Sequence, residues 1–309
     1  MSKSTKQYSP ALQLVLITSF YVGFLILGAL LSFILCPLFS GYSLTDLQNA
    51  DLSLPAVSLT WKIFAFLDPV SMYLIPAILF VRITSPQPVE WLKLNKSIQL
   101  WPALFIILIM VLGQPIAGIL YDWNYTWGMA QSSVQKVEDT AAISEAITKA
   151  DNFAFFLINL LVFGLVPAIA RECFFRGVLQ QVFIKMMPKA PWLAIVITSV
   201  IFGASYVQWQ WFVPVIFVGI QLGTIYYLTG NLKLAILGDF IFGSVNLVES
   251  YSRQLGWTTE DPLRPSATHW YTALICLIVT IGLVWYFRKR IPKPVAEIAY
   301  QEDIESIGK

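Results

Sequence analysis

Histidine is almost missing from this chain, and cysteine and charge are scarce. The only histidine is His269, and the three cysteines are Cys36, Cys173 and Cys276. One imidazole and three thiols spread over separate apolar runs show none of the close ligand spacing of a structural zinc site, and no CxxC pair or disulfide framework can be drawn from them. Cys36 follows Phe33, Ile34 and Leu35, without the small residue that precedes a lipidated cysteine. Charged residues make up 12% of the chain, about half the share in a soluble globular protein. Their signs nearly balance, 20 basic against 18 acidic. That excludes a nucleic-acid binder, which needs a basic excess, and a disordered acidic chain.

What fills the space is apolar. Residues of that kind reach 57% over 309 positions, and the mean hydropathy is +0.68. The expected class is an all-α polytopic transmembrane bundle. A bilayer core of about 30 Å takes about 20 apolar residues per helix. About eight runs fit: 11–39, 61–81, 98–120, 153–183, 192–207, 211–228, 232–248 and 270–287. The second run contains Lys62 and Asp68, which puts its expected start near Pro69. The first is too long for a cleavable signal and lacks a small-x-small site, so it is expected to stay as an anchor.

Basic residues set the orientation. With the N-terminus in the cytoplasm, thirteen Lys and Arg fall in inside segments and four in outside loops. Both termini are therefore expected inside, and tryptophans at run ends resemble an interfacial belt. The organisation reads as an N-terminal segment (1–10), three spans (11–121), an outer loop with an amphipathic helix (122–152), a four-span core (153–248), a second outer loop (249–269), and a last span with a charged tail (270–309). Gly219-x-x-x-Gly223 is expected to let two helices approach closely. Gln208 and Gln210 are expected to be solvated loop amides.

Ionisable residues inside spans are functional candidates, because each is costly there. Three places stand out. Arg171-Glu172-Cys173-Phe174-Phe175-Arg176-Gly177 puts Glu172 and Arg176 one helical turn apart, able to pair. Phe202-Gly203-Ala204-Ser205-Tyr206 ends the fifth run. Asp239 stands alone among Gly238, Phe240, Ile241, Phe242 and Gly243.

In order and spacing these segments resemble the CPBP family, the CAAX protease and bacteriocin-processing (Abi) intramembrane endopeptidases. The family's motifs are Glu-Glu-x-x-Phe-Arg-Gly, Phe-x-x-x-His and His-x-x-x-Asn. The resemblance covers about Phe153 to Val248. It implies peptide-bond hydrolysis by a glutamate-activated water, helped by histidines or, in some proposals, by zinc. Carried over residue by residue, only Glu172, Arg176 and Gly177 match outside the motif phenylalanines. Arg171 stands at the water-activating Glu, Tyr206 and Asp239 at the two His positions, and Gly243 at the Asn. A permanently protonated guanidinium cannot be a base, and a tyrosine is a poor one at neutral pH. One Asp and one Glu fall short of the usual three zinc ligands, so no cofactor is expected. Arg171 and Asp239 are complementary replacements and are expected to pair.

The expectation is a catalytically degenerate homologue in a bacterial inner membrane. It would bind a membrane segment or a prenylated or otherwise hydrophobic peptide without cutting it, with membrane lipid as its other partner. The alternatives are an active endopeptidase with a rearranged site, built on Glu172 or Asp239, and a small transporter component.

Overall fold

The computed structural model describes residues 8–127, 143–206, 209–258 and 269–290. Among these residues there are eight long helices and no strand. We number them α1 (Pro10–Ser40), α2 (Pro55–Thr84), α3 (Leu100–Tyr125), α4 (Phe153–Met186), α5 (Pro191–Ala204), α6 (Phe212–Thr229), α7 (Leu232–Gln254) and α8 (Trp270–Arg290). Each apolar run has become a helix. Six are long and apolar enough to cross a membrane, α6 together with its leading turn from Trp209. The exceptions are α5, 14 residues long, and α7. The polar residues Asp239, Asn246 and Glu249 lower the hydropathy of α7. The amphipathic helix expected around 132–151 lies mostly outside the described residues, which show helix at 143–148.

Local chemistry sets the ends. Ser9 caps α1, its Oγ accepting from the Leu12 N–H, and Pro10 follows at the first turn, where a missing N–H costs nothing. Gly230 ends α6 at φ 54°, and its N–H donates to the Tyr226 carbonyl at 2.8 Å. Glycine takes that left-handed conformation without a Cβ clash. Asn231 then caps α7 by accepting from the Lys233 N–H. Stop and start signals one residue apart make a tight α6–α7 hairpin.

Two helices carry a widened, π-type turn just before a proline. One is Val70–Leu74, ahead of Pro76 in α2, and the other Leu160–Leu165, ahead of Pro167 in α4. A proline supplies no N–H and crowds the carbonyl four residues back, and an extra residue in the turn relieves both. The helix therefore continues through Pro69, and α2 begins at Pro55 rather than near Pro69 as the charges suggested. A third widened turn, Phe175–Gln180, follows in α4.

Two aromatic-rich cores hold the bundle. In one, Phe80, Phe174, Phe175, Phe202 and Tyr226 join α2, α4, α5 and α6. In the other, Phe105, Ile106, Leu222 and Phe287 join α3, α6 and α8. The outer faces of α1, α3 and α8 expose Leu, Ile, Val and Trp in quantity. Such a surface suits hydrocarbon and would be anomalous in water. The chain is an integral membrane protein.

Candidate functional site

The three motif segments converge. Arg171, Glu172 and Arg176 come from α4, Phe202 and Tyr206 from the end of α5, Asp239 from α7, and Gly219 from α6. Arg171 Nε donates to Asp239 Oδ2 at 3.0 Å, so the pairing anticipated from complementary replacement is present. Asp239 is 3% exposed and the Arg171 side chain 17%, which places the carboxylate inside and the guanidinium at the margin. Tyr206 lies under that guanidinium, its ring centroid 5.9 Å away.

The second pair is sealed. Arg176 donates to Glu172 across one helical turn, and both residues are fully buried. Arg176 also donates from Nη2 to the Gly219 carbonyl at 3.0 Å and lies 4.5 Å from the Phe202 ring centroid. Four residues on, Gln180 repeats the pattern, donating to the Gly223 carbonyl at 3.0 Å. The two glycines make this possible. A Cβ on Gly219 would come within 2.9 Å of Ser199 Cβ, and one on Gly223 within 2.8 Å of Gln180 Oε1. The Gly-x-x-x-Gly spacing thus serves close packing, as expected, and also exposes carbonyls to α4.

Two guanidinium groups and two carboxylates are thereby neutralised within the protein. Glu172 Oε1 is held by Arg176, while Oε2 is inaccessible and has no partner among the described residues. Gly243, at the family's Asn position, faces open space, since a Cβ there would meet nothing within 4 Å. It contributes no side chain to the cluster. Zinc, which the resemblance brings in, does not fit this donor set. Among the described residues no three His, Cys, Asp or Glu gather, and Glu172 and Asp239 are each engaged by an arginine.

Some of this was hidden in the sequence. The Gly219 carbonyl as acceptor and the Phe202 ring against Arg176 depend on how closely α6 and α5 approach α4. The signals available were the small-residue spacing and the motif phenylalanine. Gln210 corrects an expectation. It is 2% exposed and buried within a turn ahead of α6 rather than solvated, while Gln208 lies outside the described residues.

Residues 153–245 match the family model described as type II CAAX prenyl endopeptidase Rce1-like. No curated protein and no solved structure matches the chain. The matched stretch begins with α4 and ends within α7, and so contains every residue of the cluster. Over that stretch this membrane protein is similar to the type II CAAX prenyl endopeptidases, in keeping with a member of the CPBP family.

Proposed function

We propose that this intramembrane protease homologue has exchanged hydrolysis for recognition. It holds a membrane segment or a hydrophobic, lipid-modified peptide beside the Arg171–Asp239 pair without cutting it. The observation that carries the reading is the occupation of the motif carboxylate positions. The family's water-activating position is an arginine bonded to the residue at a family histidine position. A general base must reach the proton it takes, directly or through one water. Asp239 faces a guanidinium, and the remaining oxygen of Glu172 is closed off from solvent. Binding needs only an accessible edge. The partly exposed Arg171 and the open space at Gly243 provide one.

One observation favours the active alternative. Glu172 Oε2 is a buried acceptor without a donor among the described residues, and such atoms commonly hold an ordered water. The experiment separates the two readings. Purified protein is incubated with quenched hydrophobic peptides, with and without a prenyl group, and both cleavage and binding are followed. The expected result is binding without cleavage, weakened by Arg171→Ala. Cleavage that disappears in Glu172→Gln or Asp239→Asn would overturn the proposal in favour of hydrolysis.

A further inference from the structure

Asp68 takes no part in the motif cluster, yet it stands at mid-depth in the bundle. It lies about 20 Å from the Pro55 end of α2 and about 24 Å from the Thr84 end. A carboxylate on a single methylene cannot reach an interface from there, whereas the long Lys62 stem can. Asp68 is exposed. Among the described residues its carboxylate forms no ion pair and no hydrogen bond.

This exposure is on the wrong side for lipid. At about 100° per residue, Asp68 falls within about 20° of Val57 and about 40° of Phe64, both buried. It is nearly opposite Leu59 and Phe66, which face outward. Asp68 therefore belongs to the face that α2 turns toward its neighbours. Large groups cover that face on either side of it. Toward one end Cys36 and Leu47 pack with Phe64, and toward the other Tyr21 and Phe174 flank Tyr73. Between these contacts α1 presents small residues. Gly28 comes so close to α2 that a Cβ on it would stand 3.2 Å from Ser71 Oγ, and Ser32 lies one turn further along α1. Both hydroxyls already donate, Ser71 to the Asp68 carbonyl at 3.1 Å and Ser32 to the Gly28 carbonyl at 3.0 Å. The result is a notch between α1 and α2 that holds one unanswered carboxylate.

A charge left bare at this depth is costly, and membrane helices answer it with an opposite one. The two arginines of the neighbouring α4 are engaged by Asp239 and Glu172. A calcium or magnesium ion takes six or more oxygen ligands, and among the described residues no three His, Cys, Asp or Glu gather. A single ammonium or guanidinium is met by one carboxylate. We propose that the notch at Asp68 receives a lysine or arginine side chain carried at mid-depth by a membrane-spanning helix of a partner protein. The cation pairs with the exposed carboxylate, and the small residues of α1 leave room for its stem. This site is separate from the motif residues and holds whether or not that cluster cleaves.

The test uses full-length labelled protein in phosphatidylcholine vesicles and three synthetic single-span leucine helices, with association read by energy transfer. One carries a central Lys, one a central Met of similar length without the charge, and one a central Glu. The Lys helix is expected to associate about tenfold more tightly than the Met helix, and the Glu helix no better than it. Asp68→Asn keeps the shape of the side chain and should bring the Lys helix down to the Met level. Asp68→Glu keeps the charge and should retain most of the difference, which separates a lost charge from a damaged fold. Equal association of the Lys and Met helices, or a Lys preference that survives Asp68→Asn, would overturn the proposal. Tighter association of the Glu helix would point to a proton shared between two carboxyls and would overturn it too. Replacing Arg171 with Met and Asp239 with Leu together should change nothing here; if that abolishes association, the helix binds at the motif cluster and this proposal fails.

Discussion

Arg171 and Asp239 hold each other's charge in a place that neither tolerates alone. Removing one partner of a buried ion pair leaves an uncompensated charge and typically costs about 3–5 kcal/mol, whereas replacing both with apolar residues of similar volume is often neutral. Arg171→Met and Asp239→Leu are each expected to lower stability by about that amount. The double variant should recover most of the loss. Unfolding of all four proteins in one detergent checks this, and additive losses would exclude direct coupling. A second residue-scale prediction concerns Lys93, in the loop between α2 and α3. Its carbonyl accepts from the Leu232 N–H and its Nζ lies 5.1 Å from the Tyr226 ring centroid. Burial, with Lys96 close by, pulls the Lys93 ammonium down to about 8 from its ordinary 10.5. Between these values the unfolded chain binds more protons than the folded one, so stability rises as pH rises from about 8 toward 10.5. Lys93→Met should flatten that rise in a pH series of thermal unfolding.

At the scale of elements, the glycines separate close helix contacts from loose ones. A Cβ on Gly219 would press on both the side chain and the Cα of Ser199, so α5 and α6 would have to part. Gly223 would press on the buried Gln180 Oε1 and on Ile195 Cγ2, a methyl on the branched Cβ. Gly243 would meet nothing. Gly219→Ala and Gly223→Ala are therefore each expected to cost about 1–3 kcal/mol as overpacking, and Gly243→Ala to gain up to about 1 kcal/mol from helix propensity. Thermal unfolding ranks the three, and a Gly243 variant as damaging as the Gly219 one would contradict the packing described. The helices themselves were legible because apolar runs bounded by Ser9-Pro10, Gly230-Asn231 and Asn152 leave the backbone few options. The Arg171–Asp239 pair was legible because the two replacements were complementary in sign. The widened turns were not, since a proline announces a disturbed turn but not how the helix absorbs it. The burial of Gln210 was hidden too. In a nearly uniform apolar helix no periodicity tells which face meets protein and which meets lipid.

For the molecule as a whole, the number of helices that cross sets the topology. Six qualify by length and hydropathy, while α5 is short, with one face exposed, and α7 is polar and mostly shielded by its neighbours. A helix shielded by its neighbours need not be as apolar as one that faces lipid. All eight are expected to traverse, with both termini on the cytoplasmic side. Reporter fusions after Ser85, Met187 and Gly230 should then report the same side as the N-terminus, and a fusion after Gly256 the opposite one. If the Met187 and Gly230 fusions fall on different sides, α5 and α6 do not form a through-membrane pair.

Arg171 sits on a short α-helical length of α4, Val166–Phe174, with a widened turn on either side of it. Should the surplus residue migrate past this length from one turn to the other, the nine residues would swivel by about 100°. The guanidinium would then leave its carboxylate and point elsewhere. Spin labels on α4 and α7, compared with and without bound peptide, would register that rotation as a second distance. A single unchanging distance would mean that the joints are locked. On this view, the widened turns on either side of Val166–Phe174 make it a pivot, thrown by whatever lies against Arg171.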